Sequence, residues 1–107
     1  MATKGCALRF YMQEKARHRG LLLYEWLLQQ AQAAGLPGGS AFRALAGYGR
    51  HRVLHEQKFF ELEGELTVVV EFLVDEAQAA QLLELAKADG APLFWARIPA
   101  DFGVLGA

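Results

Sequence analysis

From Cys6 to Gln13 the side chains alternate. Cys6, Leu8, Phe10 and Met12 fall on one face, and Ala7, Arg9, Tyr11 and Gln13 on the other. A period of two predicts a half-buried strand. The polar stretch Glu14 to Gly20 follows, and then the period changes. From Leu21 to Ala34, Tyr24, Leu27, Leu28 and Ala31 recur at helical spacing, with Gly35 placed to end the helix in a positive-φ conformation. Leu22, Leu23 and Trp26 widen the apolar arc, which predicts contact with the sheet and with a second body, such as another subunit.

After the turn cluster Leu36-Pro37-Gly38-Gly39, alternation returns from Ser40 to Tyr48, with Phe42, Ala44 and Ala46 opposite Arg43 and Leu45. The clearest strand is Leu66 to Val74, β-branched and aromatic, with Leu66, Val68, Val70, Phe72 and Val74 on one face. Asp75 can cap a second helix and Gln78 can reciprocate. Ala79, Leu82, Leu83 and Ala86 give its stripe, and Gly90 ends it. A last strand is expected from Leu93 to Ile98, after Pro92. The order βαββαβ predicts an α+β, ferredoxin-like fold, a four-stranded antiparallel sheet with two helices on one face. A flavodoxin-like sheet needs more strand and helix pairs than 107 residues supply.

The uncovered sheet face would carry Tyr11, Leu45, Val69 and Leu73, too apolar for water, so oligomerisation through the sheets is expected. The connection from Gly47 to Glu65 spans nineteen residues between neighbouring strands, where a hairpin loop has about 2 to 5. Connections of that length usually carry function.

Composition adds limits. The length and the 53% hydrophobic content predict one globular domain over residues 1–107. The single cysteine excludes a disulfide framework and a multi-cysteine zinc site, and its apolar surroundings predict a buried, inert thiol. The N-terminal residues lack the apolar core of a signal peptide, and no stretch approaches the roughly 20 apolar residues of a membrane span, so a cytoplasmic location without direct membrane insertion is expected. Net charge is −1 but divided. Residues 1–58 hold nine Lys/Arg against three Glu, and residues 59–107 hold two against nine Asp/Glu. Nucleic-acid binding is not expected from this balance.

Several segments, in order, resemble a known family. The run GGSAFRALAGYGRHRVLH leads into the long connection and FFELEGELTVVVEF leads out, while LRFYMQEKARHRGLLLYEWLL joins the first strand to the first helix. These are similar to the PII-like signalling proteins, and most of all to the small PII-like family catalogued as domain of unknown function one-ninety. The resemblance implies a ferredoxin-like homotrimer with a T-loop at about 49–65 and ligand clefts between subunits. It also implies an adenine nucleotide as ligand and a membrane transporter or channel as partner. By position, Gly47, Tyr48, Gly49, Arg50 and His51 would line the cleft. Arg52, His55, Lys58, Phe59 and Phe60 would lie on the partner-binding loop. The chain departs from PII proteins before the last strand, where Ala88 to Pro92 holds no lysine, and in a tail without cations after Arg97. The departure favours AMP, ADP or a cyclic nucleotide over a triphosphate.

The residues themselves leave alternatives open. Gly47-Tyr48-Gly49 allows backbone amides to face a phosphate, and equally a plain turn. Arg50, Arg52 and Lys58 form one cationic group and Lys15, Arg17, His18 and Arg19 another; each suits an anion or simply solvent. His51 and His55, four apart, with Glu56 would be the ligands of a metal-responsive trimer resembling the divalent-cation-tolerance proteins. A third reading is an adaptor that needs no small ligand. Trp26 and Trp95 are expected in the core or a trimer interface. No Ser/His/Asp set or activated cysteine suggests an enzyme.

Overall fold

The computed structural model describes residues 2–48 and 66–106. Strands β1 (Thr3–Gln13), β4 (Ser40–Arg43), β5 (Thr67–Val74) and β6 (Phe94–Phe102) form one sheet, and α1 (Leu23–Ala33) and α2 (Glu76–Ala88) are its helices. A two-stranded ribbon, β2 (Arg17–His18) and β3 (Leu21–Leu22), stands between β1 and α1. Strand order is β4-β5-β1-β6 and every pairing is antiparallel, the ferredoxin-like arrangement that the order of elements predicts.

The core is the helix-facing half of that alternation. Cys6, Leu8, Phe10 and Met12 of β1 and Val68, Val70, Phe72 and Val74 of β5 are buried together with Leu23, Trp26, Leu27 and Ala31 of α1 and Ala79 and Leu82 of α2. Phe10 and Phe72 meet edge to face at 6.1 Å. The Cys6 thiol is fully buried, and burial pushes its pKa up, as expected of an inert core cysteine.

Helix α2 begins with the capping box that its sequence predicts. Asp75 Oδ1 accepts from the Gln78 amide at 2.8 Å, and Gln78 Oε1 accepts from the Asp75 amide at 3.0 Å. At the other ends, Gly35 and Gly90 both adopt positive φ. Gly5 has a different role: a Cβ there would run into the Val74 carbonyl oxygen, where β5 turns toward α2.

Several expectations are corrected. The stretch Glu14 to Gly20 is not merely polar. It contains β2 and a two-residue hairpin turn in which Arg19 (φ 53°) and Gly20 (φ 80°) are both left-handed, the requirement of a type I′ turn. Leu21 and Leu22 belong to this ribbon rather than to the helix. The extra width of the α1 arc meets the ribbon, with the His18 ring edge-on to the buried Trp26 at 4.6 Å. The second strand is Ser40–Arg43 rather than 40–48. Its last ladder bond is Ala44 N to Thr67 O at 2.8 Å, where β5 itself begins.

The faces of that strand are also reversed. Phe42 pairs with Val69 on the face away from the helices, so it stays more than half exposed, while Leu45 lies past the strand and is exposed. Finally, β6 runs beyond Ile98 to Phe102, through Pro99, in register with β1 along its length. Proline is tolerated there because β6 is an edge strand.

Candidate functional site

Strands β1 and β5 set the position of the site. Gln13 pairs with Thr67, and Glu14 N donates to Leu66 O at 2.9 Å, so the end of β1 and the beginning of β5 lie side by side. Beside them the chain leaves β4 through Ala44. Arg43 is held at 3.5 Å from Glu14, which ties this departure to the end of β1. Strand β6 starts at the same end of the sheet, with Phe94 opposite Tyr11 and Trp95 opposite Phe10.

A cleft of about 1100 Å³ opens at this end. Tyr11, Val69 and Phe94 line it from the open face of the sheet, Ala16 and Arg17 from the ribbon, Gly47 and Tyr48 from the chain leaving β4, and Leu93 and Trp95 from the start of β6. Tyr11 and Phe94 stack at a tilt, with ring centroids 5.5 Å apart. Trp95 is neither core nor fully exposed: 47% of its surface is accessible, and the Arg97 guanidinium carbon lies 5.9 Å from its ring centroid. Four aromatic side chains, Tyr11, Tyr48, Phe94 and Trp95, border the cleft from different elements with a sparse set of polar groups, a composition that suits a flat organic ligand.

The structure places Gly47 and Tyr48 along the border of this cleft within one chain. Gly49, Arg50, His51, Arg52, His55, Glu56, Lys58, Phe59 and Phe60, the rest of the expected cleft and loop residues, lie outside the described residues. Among the described residues, no group of three or more His, Cys, Asp or Glu side chains is placed to hold a metal.

Two members of the first cationic stretch turn away from the cleft. Arg19 donates through Nε (2.7 Å) and Nη2 (3.1 Å) to the Asp89 carboxylate, and His18 Nε2 lies 2.8 Å from Asp89 Oδ2. The Arg19 hydrogen bonds, and after them that of His18, lower the Asp89 pKa to about 2. This clamp joins the ribbon to the C-terminal cap of α2. It therefore fixes the spacing of two cleft walls, Ala16-Arg17 and Pro92 to Trp95. The sequence shows the cations and Asp89 but not their meeting, because seventy residues separate Arg19 from Asp89.

Comparison with known proteins bears on this cleft. The sequence profile of DUF190, described as an uncharacterized ACR, matches residues 5–90. The chain belongs to the DUF190 family. Within the curated proteins, a UPF0166 protein of Aquifex aeolicus (strain VF5) is 38% identical over 80 residues, covering 75% of this chain and 76% of the relative. Among solved structures, the DUF190 chain is similar to CPII, a nitrogen regulatory PII-like protein from Thiomonas intermedia K12. CPII bound to ADP, AMP and acetate superposes with a TM-score of 0.65 at 17% identity, over 97% of this chain and 93% of that one. The form bound to ADP, AMP and bicarbonate gives 0.64 at 16% identity, over 97% and 98%. The DUF190 chain thus has the PII-like fold.

Proposed function

We propose that this protein is a PII-like regulatory protein, a homotrimer that binds a small anionic ligand in clefts at Gly47 to His51 and acts on a partner through the 49–65 connection. The ligand class is an adenine nucleotide: AMP, ADP or a cyclic form. The observation that carries this reading is the aromatic cleft bordered by Gly47 and Tyr48, where the chain enters that connection. A ligand there touches the root of the connection, so it can favour one arrangement of it over another. A difference in affinity of ~1.4 kcal/mol between two arrangements shifts their ratio tenfold. Binding of ADP and AMP by CPII, which shares the fold, supports the choice of ligand.

Trimer formation is supported by the open face of the sheet. Leu73 and Ile98 are 43% and 40% exposed there, beside Tyr11, Val69 and Phe42. An apolar area of this kind seeks a cover. The partner class, a membrane transporter or channel, follows from the PII-like resemblance. Among the described residues, no helix is long and apolar enough to cross a membrane. In this reading the chain is a ligand-responsive adaptor of such a protein rather than an enzyme.

Calorimetric titration with AMP, ADP, ATP and cyclic AMP tests the ligand. Saturable heat is expected with AMP or ADP, and weaker binding with ATP. Absence of both heat and thermal shift at about millimolar nucleotide, well above the affinities that regulatory sites need, removes the nucleotide from the proposal.

A further inference from the structure

We infer that Arg17 is the cation, among the described residues, that receives the ligand's phosphate in this cleft. The inference rests on the reading of the cleft given above. Arg17 is the one charged side chain among the described residues that line it. His18 and Arg19 are committed to Asp89, and Arg43 to Glu14. Among the described residues no carboxylate pairs with Arg17, and none lines the cleft to oppose an incoming anion.

The position of Arg17 is fixed by more than its own residue. It pairs with Leu22 in the ribbon, Leu23 N donates to Ala16 O at 2.7 Å, and the next two residues are clamped to Asp89. An arginine held at its base loses less freedom on binding than one at a loop tip. Its planar guanidinium can donate two parallel hydrogen bonds to a phosphate, and aromatic side chains line the same cleft beside it.

The test measures AMP, adenosine and inorganic phosphate separately. In a sample labelled at arginine side-chain nitrogens, the Arg17 Nε–H resonance is expected to shift saturably with AMP and with inorganic phosphate, and not with adenosine. Arg17→Gln is expected to weaken AMP at least about tenfold and leave adenosine unchanged, with Arg17→Lys intermediate. Equal urea midpoints for the variants show that folding is intact. AMP binding by Arg17→Gln at wild-type affinity would overturn the role of Arg17 and leave the nucleotide reading standing. A wild-type protein that binds neither AMP nor adenosine, yet shifts at Arg17 with phosphate, keeps the anion site and ends the nucleotide reading. No response to any of the three overturns both.

Discussion

Asp89 shows how one residue joins distant parts of the chain. Its carboxyl lies at about 2, below the ordinary 3.8, because Arg19 and His18 hydrogen-bond to the ionised form. A folded-state pKa below the unfolded one contributes stability that is present above about pH 4 and is lost as pH falls toward 2. Asp89→Asn is therefore expected to lower the urea midpoint near neutral pH, and the gap from wild type is expected to close as pH approaches 2. A gap that stays constant over that range would mean that the carboxylate's charge plays no part. None of this was legible in the sequence. Lys15, Arg17, His18 and Arg19 read there as one cationic group, suited to an anion or simply to solvent. Two of its members are structural, and only Arg17 is left facing the cleft.

Elements with a strong internal period were read correctly, and those whose limits depend on a distant partner were not. The alternation in β1 and β5 and the stripe of α2 emerge on the core side as the pattern requires. The capping box at Asp75 and Gln78 is visible in the sequence because both of its partners are local. Asp75→Ala removes the side-chain acceptor and is expected to cost about 1 kcal/mol, read as a lower urea midpoint with unchanged m-value. The second strand failed for the opposite reason. Ser40 to Tyr48 alternates, but the ladder with β5 ends at the Ala44 N to Thr67 O bond, so alternation alone overstates the strand. Its face is set by Val69, the partner of Phe42, and a run of small residues cannot announce that. The ribbon was missed because two-residue strands have no period at all. The Arg19-Gly20 turn is its one local sign.

For the whole molecule, the divided charge becomes intelligible. Lys4, Arg9 and Arg19 of the basic half pair with Asp101, Glu71 and Asp89 of the acidic half, so the halves meet within one chain as well as in any assembly. The Arg9–Glu71 pair sits on the open sheet face, at 2.9 Å, among apolar neighbours. Covering that face would dry the pair and make it a register mark between copies. Leu73→Lys places a charge in the same face without entering the core. Light scattering is expected to show the wild type as a trimer and Leu73→Lys as a monomer with native circular dichroism. A wild-type monomer would refute the assembly. The cleft was partly legible. Gly47 and Tyr48 could be named from the sequence as candidates, whereas the aromatic lining, drawn from β1, β6 and the chain leaving β4, comes together only once the sheet has formed.

Whether a nucleotide occupies this cleft is decided by a crystal structure of the protein grown with about millimolar AMP. Density for AMP is expected in the cleft, with its phosphate on the Arg17 guanidinium. An empty cleft under those conditions, or AMP bound elsewhere on the molecule, would contradict the nucleotide reading.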